Sequence, residues 1–498
     1  MNARQILTGL GWSAAATVLN AACQLVFLAV LARLLDPGAF GLMAMAAIAL
    51  RFASFFAQLG LVQALIQRPQ LDAQDTSAAA LLALAVGAAL YAAMLLAAPL
   101  FAAGFRAPEL VALIDVLGLS LLLGALGGLP LALLRRQARF RRVNLIEVAS
   151  YVLGYGAVGI ACASRGLGVW SLVAATLAQQ ALLAALGLAA VRYPLTWPVP
   201  RAAFARLWHY GARQSLIGFL EFLTANVESL FIGRTMGQGA LGLFNRAIVL
   251  TSLPVEQGVT AVNKVLFPAL AGMQGDRARL ADGFQMLLLA VGLLGTGLAC
   301  GMAAAASDVV ALLLGPRWSD AAPIVAVAAL AVPPMFMFVA CGVTLDSLAA
   351  LDPKLRLQAA VLVLKVALVV ALARWGLVGV AWAVVIAETA RMLLGIRLLA
   401  RLLPVRAAAL WGLLALLAAI GAAVWASVAA TASIAATAAL PLPLRVLLEA
   451  LAGSTMLAAA LLLLLRRFPA YGPLQRFDVL RRWHGRVLRA LHAPVLHP

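Results

Sequence analysis

The chain has 498 residues, of which 65% are hydrophobic and 11% are charged, and its mean hydropathy is +1.03. This composition is far too apolar for a soluble enzyme or a soluble binding domain, and it predicts a polytopic membrane protein. The net charge of +19 would suit a nucleic-acid-binding protein, but the basic residues lie between apolar runs, a pattern typical of membrane topology. We therefore expect no nucleic acid as a partner.

Fourteen apolar runs follow one another, each with about the 20 residues that an α-helix needs to cross a bilayer. None alternates apolar and polar residues as the strands of a membrane barrel do. The sequence therefore predicts an all-α polytopic membrane protein with about 14 transmembrane helices. The predicted spans are residues 10–35, 39–66, 77–103, 109–134, 143–163, 166–190, 207–235, 238–270, 279–305, 320–350, 355–373, 376–400, 407–428 and 443–465.

The distribution of basic residues predicts the orientation of these spans. Of the 37 Lys and Arg residues, 25 fall on the side of the N-terminus and 7 on the opposite side. Basic residues concentrate on the cytoplasmic side of membrane proteins. We therefore expect a multi-pass membrane protein with both termini in the cytoplasm.

A short motif occurs twice, at a fixed offset of 201 residues. Arg33, Gly38-Ala39 and Gly41-Leu42 recur as Arg234, Gly239-Ala240 and Gly242-Leu243. Each copy lies between the end of one apolar run and the start of the next. Such a recurrence predicts an internal duplication, which is typical of transporters built from structural repeats.

The repeat and the span count together predict the domain organisation. Two six-helix bundles in parallel repeat are expected at residues 1–190 and 207–402, joined by a proline-rich cytoplasmic linker at 191–206. Two additional transmembrane helices follow at 403–465, and residues 466–498 form a basic cytoplasmic tail. This tail has the periodicity of a helix lying on anionic lipid, and a disordered basic tail is the alternative.

Several features argue against an enzyme. The outward-facing loops are predicted to be short, about fifteen residues or fewer, and we expect no appended domain that would carry catalytic groups. Cys23, Cys162, Cys300 and Cys341 lie within apolar runs without the spacing of a metal site. We expect no catalytic residues, no metal and no cofactor.

Polar stripes on the first two helices of each bundle predict a hydrophilic cavity. At 100° per residue, the polar residues of the seventh run share one face, and the opposite face is apolar. Polar packing between helices is the alternative for Ser13, Thr17 and Thr260. The residues expected to line the cavity are Asn20, Gln24, Gln58, Glu221, Thr224, Glu228, Asn245, Ser252 and Glu256.

Arg51, Arg213 and Arg246 lie within predicted spans and are the candidates for substrate binding. A charge exposed to lipid near a helix centre costs about 2.5–3.5 kcal/mol on the insertion scale, so these side chains should face water or protein. A guanidinium remains charged and binds phosphate through two parallel hydrogen bonds. The arginines therefore predict binding of an anionic, phosphate-bearing head group in the cavity.

Carboxylates in the spans leave a second interpretation open. Glu221, Glu228 and Glu256 are suited to coupling ion movement to transport, and to binding a cationic cargo. Glu388 and Arg391, three residues apart, are predicted to form an internal ion pair. The sequence assigns no role to Asp115, Glu147, Asp346, Lys365 and Glu449.

The segments LARLLDPGAFGL (31–42) and QLGLVQALIQR (58–68) resemble polysaccharide exporters of the Wzx type, and the colanic acid exporter-like branch in particular. The second-half segments IGRTMGQGALG (232–242) and NKVLFPAL (263–270) resemble the seventh and eighth helices of the same family. Detailed similarity covers about residues 1–75 and 207–285. The resemblance implies membership of the multidrug/oligosaccharidyl-lipid/polysaccharide flippase superfamily.

The function is inferred from that resemblance. It implies a flippase that moves undecaprenyl-diphosphate-linked oligosaccharide to the periplasmic leaflet for lipopolysaccharide or exopolysaccharide biosynthesis, by alternating access. It also implies that Arg51 corresponds to the cavity arginines of related peptidoglycan precursor flippases. The expected partners are membrane lipids, the lipid-linked oligosaccharide and other membrane proteins of polysaccharide assembly. An ion-coupled multidrug exporter of the same superfamily is the alternative.

Overall fold

A computed structural model describes residues 3–57, 73–137, 139–191, 212–252, 276–348, 350–405 and 407–467. Near some of these boundaries, including residues 3–18 and 212–218, only the backbone is described. Throughout these ranges the chain is helical and contains no β-strand. The predicted all-α membrane fold is therefore confirmed.

The α-helices range from 5 to 33 residues, and only the longer ones have the length needed to cross a bilayer. They are α1 (Ala3–Leu34), α2 (Pro37–Ala57), α3 (Ala73–Phe105), α4 (Leu110–Leu117), α5 (Leu119–Arg136), α6 (Phe140–Tyr151), a π-helix (Val152–Gly159), α7 (Ile160–Ser164), α8 (Val169–Ala190), α9 (Ala212–Thr235), α10 (237–252), α11 (Arg277–Ala304), α12 (Ala306–Leu313), a 3₁₀-helix (Pro316–Ala321), α13 (Ala322–Ala329), α14 (Val332–Ser347), α15 (Leu351–Leu372), a 3₁₀-helix (Ala373–Trp375), α16 (Gly376–Leu402), α17 (Ala407–Thr437) and α18 (Leu442–Arg467).

Each of the fourteen predicted runs is helical over most of its described part. Nine helices in the described ranges are long and apolar enough to span a membrane, or ten if a bent pair counts as one span. That pair joins Pro316–Ala329 to Val332–Ser347 at an angle of 41°, because Pro333 and Pro334 open α14 and cannot continue the preceding helix. The count of fourteen stays a prediction.

Two compact units are present. Unit 1 contains residues 1–247, 313–321 and 365–377, and unit 2 contains residues 248–312, 322–364 and 378–498. The two units are defined by contacts between helices, whereas the predicted bundles were defined by the repeat in the sequence. The predicted boundaries at 190, 206 and 402 therefore stay predictions.

Glycines allow close helix packing inside each unit. In unit 1, α5 approaches α8 where Gly127 faces the Ala184 backbone and Gly187 faces Pro130. In unit 2, α11 packs on α14 and α17, and an added Cβ at Gly292 would meet the Leu417 side chain. Small residues at such interfaces bring helix backbones together in membranes, where burial of apolar surface gives no driving force.

Candidate functional site

The two copies of the sequence motif meet each other in unit 1, where α2 crosses α10. An added Cβ on Gly41 would overlap the carbonyl oxygen of Gln238, and one on Gly242 would overlap that of Pro37. Pro37 and Gln238 are separated by the same 201 residues as the two glycines. The crossing is therefore reciprocal, and it fixes the helices that carry Arg51 and Arg246.

The first copy of the motif also starts α2. The Asp36 carboxylate accepts a hydrogen bond from the Ala39 amide at 3.1 Å, which is the usual role of an aspartate at a helix N-cap. Pro37 follows as the first helical residue, where its missing N–H leaves no bond unmade. The motif thus sets both the start of α2 and its closest contact.

Trp318 supports the same region from the 3₁₀-helix 316–321. Its side chain is fully buried, its indole Nε1 donates to the Ala32 carbonyl at 2.8 Å, and its ring meets Phe40 edge-on at 5.4 Å. A buried indole usually needs such an acceptor. Trp318, which is distant in sequence, therefore packs against both the end of α1 and the start of α2.

Arg51 is the only exposed residue between positions 37 and 54 of α2. The adjacent Phe52 ring lies 6.0–6.5 Å from those of Phe101, Phe219 and Phe222, which anchors this part of the helix against α3 and α9. No ion pair of Arg51 occurs within the described ranges. A rigid helix therefore presents one accessible guanidinium.

Arg246 is half-buried on α10 and has no carboxylate partner in the described part of the chain. Its Nη2 donates to Asn245 Oδ1 at 3.0 Å, and its guanidinium carbon lies 4.5 Å from the centre of the Phe40 ring. Its buried Nε makes no hydrogen bond to any described residue. A buried guanidinium with an unused donor is suited to an anionic ligand.

Tyr151 and Tyr155 lie within electrostatic range of Arg246 and were not predicted as site residues. Their rings stack at 4.9 Å across the start of the π-helix, and the Tyr155 hydroxyl is 3.0 Å from Thr176 Oγ1. π-Helical turns are rare and often mark functional sites. The signal available in the sequence was an i,i+4 tyrosine pair within a glycine-rich run, which we interpreted only as an apolar span.

The predicted cavity residues differ in accessibility. Glu221 is exposed, Asn20, Gln24, Asn245 and Ser252 are half-buried, and Thr224 is buried with its hydroxyl donating to the Leu220 carbonyl at 2.7 Å. The Asn20 Oδ1 atom is buried without a hydrogen-bond partner among described residues. Gln58, Glu256 and the side chain of Arg213 lie outside the described residues. Their assignment to a cavity stays a prediction.

Glu228 of α9 forms a buried ion pair with Lys365 of α15. Lys365 Nζ lies 2.9 Å from Glu228 Oε2, and the two side chains are 3% and 10% exposed. The ammonium also donates to the Thr224 carbonyl at 2.7 Å, whereas Glu228 Oε2 accepts no well-aligned hydrogen bond within the described ranges. Glu228 is therefore neutralised by a lysine of the same chain. This pairing makes Glu228 less suited to the predicted role in ion coupling.

Other charges in the spans also have partners. The predicted pair of Glu388 and Arg391 is confirmed, with Nη1 3.1 Å from Oε2. Arg391 also lies over the Phe338 ring at 3.9 Å. Among the residues without a predicted role, Glu147 pairs with Arg135 at 2.7 Å and Asp346 pairs with Lys354 at 2.8 Å, while Asp115 is half-buried.

An open apolar groove of about 680 Å³ runs along unit 1 beside Phe52. Arg234 lies in its wall, and its Nη1 donates to the last carbonyls of α3, those of Ala103 at 2.8 Å and Gly104 at 2.7 Å. The wall of the groove is thus mainly apolar and carries one positive charge, that of Arg234. The lining residues are Phe52, Ala97, Leu100, Phe101, Gly104, Phe105, Leu230 and Arg234.

The described ranges contain no group of three or more His, Cys, Asp or Glu residues arranged to hold a metal ion. The four cysteines are free, with Cys341 buried and the others half-buried.

Comparison with known proteins identifies related chains. The profile of a family described as polysaccharide biosynthesis protein matches residues 30–323. The lipopolysaccharide biosynthesis protein WzxC of Escherichia coli is 26% identical over 64% of this chain and 65% of its own length. The succinoglycan biosynthesis transport protein ExoT of Rhizobium meliloti is 29% identical over 66% of this chain and 67% of its own. The chain thus spans less than two thirds of the length of the Escherichia coli relative.

Solved structures share the fold. The lipid II flippase MurJ, in an inward closed conformation, gives a TM-score of 0.69 over 91% of this chain and 98% of its own, with 11% identity. An inward-facing multidrug resistance MATE family transporter of the MOP superfamily gives 0.59 over 77% of this chain and 94% of its own, with 16% identity. At these identities the likeness concerns the fold alone.

Proposed function

The chain belongs to the polysaccharide biosynthesis protein family, and from that premise we propose that it is a flippase for undecaprenyl-diphosphate-linked oligosaccharide. It moves this lipid to the outer leaflet of the bacterial cytoplasmic membrane, by alternating access, for synthesis of a surface polysaccharide. The biosynthesis name of WzxC, the transport name of ExoT and the fold shared with the flippase MurJ support this proposal. No covalent chemistry is part of it.

Arg51 is the observation that carries the proposal. It is a permanent cation on a helix whose other residues between positions 37 and 54 are buried or half-buried. Exposure of such a charge to lipid is unfavourable by several kcal/mol, so it is retained to meet water and an anionic group. A diphosphate supplies that group, because guanidinium binds it with matched geometry. Arg246, with an unused buried donor, is the second candidate.

The apolar groove of unit 1 suits the lipid part of this substrate. It is open, its wall is mainly aliphatic and aromatic, and one of its lining residues is Phe52, the neighbour of Arg51 in the sequence. An amphiphile could place its polyprenyl chain along this wall while its diphosphate remains near an arginine. Electrostatic and apolar contacts would then act on different parts of one molecule.

Arg51→Ala is expected to abolish surface polysaccharide while the protein remains in the membrane. The reason is that charge-assisted hydrogen bonds to phosphate contribute about 1.5–3 kcal/mol each, and the substitution removes all of those from Arg51. Polysaccharide in a deletion strain carrying each variant, measured beside the amount of membrane-inserted protein, tests this. Arg51→Lys should retain part of the activity, because it keeps the charge without the two-pronged geometry.

Arg165→Ala is the matched control, since Arg165 is an exposed arginine in the turn after α7. It should leave polysaccharide unchanged. Normal polymer from Arg51→Ala would remove Arg51 from the mechanism and leave the proposal without its main support.

An ion-coupled exporter of small cationic compounds is the second candidate. The exposed carboxylate of Glu221 on α9 favours it, because a cationic cargo needs an accessible anion. Drug susceptibility of the deletion strain distinguishes the two functions. A changed drug profile with intact polysaccharide would select the exporter.

The proposed location is the bacterial cytoplasmic membrane, with both termini in the cytoplasm. The excess of basic residues on one side supports this orientation. It assigns Asp308 and Arg445 to the outer end of their helices. Membrane lipids and other membrane proteins of polysaccharide assembly are the proposed partners.

A further inference from the structure

Three ionisable side chains meet at one end of unit 2, and the proposed binding of substrate does not involve them. Asp308 lies in the first turn of α12, and Arg445 and Glu449 lie one turn apart on α18. Arg445 Nη2 is 2.8 Å from Asp308 Oδ1 and 2.6 Å from Oδ2. Glu449 is only 1% exposed, although a carboxylate on a lone membrane helix would be unfavourable there.

The hydrogen bonds of this cluster are incomplete. The Glu449 carboxyl faces that of Asp308 at hydrogen-bonding range. Within the described part of the chain, however, both oxygens of Glu449 are buried without a hydrogen-bond partner. Asp308 Oδ2 contacts the Arg445 guanidinium but accepts no well-aligned hydrogen bond from it. Two ionised carboxylates offer only acceptors, so they repel and cannot bond to each other. One proton between them would remove the repulsion and allow one hydrogen bond, which satisfies one oxygen of each carboxyl.

The arginine indicates which carboxyl carries the proton. Arg445 is spaced i,i+4 from Glu449, a spacing at which a helix allows an ion pair, yet its guanidinium contacts Asp308 instead. Asp308 is therefore the ionised partner, and Glu449 is the acid that donates to it. With one proton the three groups are electrically neutral, as burial in a membrane requires.

Among the described residues of the helices packed on α18, no other charge lies near Glu449. α18 packs on α17 and α11, and α17 carries no ionisable side chain between Ala407 and Thr437. The charged residues of α11 lie near its opposite end, roughly 30 Å away at about 1.5 Å per residue. The ionisable residues of α11 are Arg277, Arg279, Asp282 and, near the cluster end, the neutral thiol Cys300.

We propose that Asp308, Arg445 and Glu449 form a proton-binding site, and that uptake and release of this proton is a step of the transport cycle. The role of the proton in the transport cycle rests on the proposed function, whereas the existence of the proton-binding site does not. The site lies at the end of unit 2 assigned to the outer face, so its proton comes from outside the cell. Separation of α12 from α18 would break the shared hydrogen bond and release the proton.

Infrared spectroscopy of the purified full-length protein tests whether the proton-binding site exists. A protonated carboxyl has a C=O stretch distinct from that of a carboxylate, and we expect this band at neutral pH. Glu449→Gln should remove it, and the variant should fold because glutamine keeps the shape and can still donate to Asp308. Asp308→Asn provides a second, independent loss of the shared proton.

Glu388→Gln is the matched control, because Glu388 is also buried in unit 2 but pairs with Arg391 and faces no second carboxyl. The band should persist in that variant. A spectrum unchanged by both Glu449→Gln and Asp308→Asn would overturn the proton site. Loss of the wild-type band on adding sodium at constant pH would overturn it in favour of a sodium site.

The amount of surface polysaccharide tests whether uptake and release of the proton is a step of the transport cycle. Glu449→Gln keeps the site in its occupied form, so we expect loss of polymer from this variant and normal polymer from Glu388→Gln. If Glu449→Gln makes normal polymer while Arg51→Ala makes none, the proton has no part in transport and the flippase proposal stands. If both variants make normal polymer, the flippase proposal fails separately.

Discussion

Gly41→Ala is expected to prevent stable folding, and Gly242→Ala is expected to do the same. In each case the new methyl group would overlap a backbone carbonyl oxygen of the crossing helix, which cannot rotate away as a side chain can. Overpacking costs about 1–3 kcal/mol, and more when neighbours cannot move. The thermal unfolding midpoint of the detergent-purified protein, with its yield from membranes, measures the effect.

Gly239→Ala is the control for this prediction. It lies in the same motif on α10, and an added Cβ there meets nothing within 4 Å. Because alanine favours helix over glycine by about 1 kcal/mol, this variant should be as stable as the wild type or more so. Wild-type stability of Gly41→Ala would mean that α2 and α10 do not cross at the motif.

Lys365→Met is expected to destabilise the protein by about 3–5 kcal/mol, the usual effect of leaving one member of a buried ion pair without its partner. Glu228 would then be a buried carboxylate without a counter-charge, and Thr224 would lose the ammonium that bonds its carbonyl. The thermal unfolding midpoint is again the measurement. Lys365→Met/Glu228→Gln should recover most of the loss, because a neutral amide is far less unfavourable in the same place.

Lys354→Met provides the comparison for a less buried pair. Lys354 contacts Asp346 at 2.8 Å, but the Asp346 side chain is 43% exposed. Such pairs contribute about 0–1 kcal/mol, so this variant should unfold near the wild-type temperature. Equal effects of Lys365→Met and Lys354→Met would show that burial of the Glu228 pair is not what makes it important.

The Glu228 pair also affects the choice between transport mechanisms. A buried carboxylate is suited to ion coupling when it can exchange its counter-ion with solvent. Here the counter-ion is a lysine that belongs to the chain. Among the predicted coupling carboxylates with described side chains, Glu221 is exposed and therefore the more accessible.

The motif near Arg33 shows which features of the fold were predictable from the sequence. The offset of 201 residues predicted a duplication, and the structure adds that the two copies touch through their equivalent glycines. The contact itself was not predictable, because a glycine needed for close approach and one needed for a turn look alike in a sequence. The Glu388–Arg391 pair was predictable, since an i,i+3 spacing already brings both groups to one helix face.

The sequence alone determined the membrane-spanning all-α fold, the repeat and the candidate arginines. These follow from hydropathy, periodicity and local spacing, which act along the chain. Only the tertiary structure decided that Lys365 neutralises Glu228, that Asp308 faces Glu449, and that Tyr151 and Tyr155 lie near Arg246. These groups come from helices far apart in the sequence, and the partner of a buried charge depends on which helices pack together.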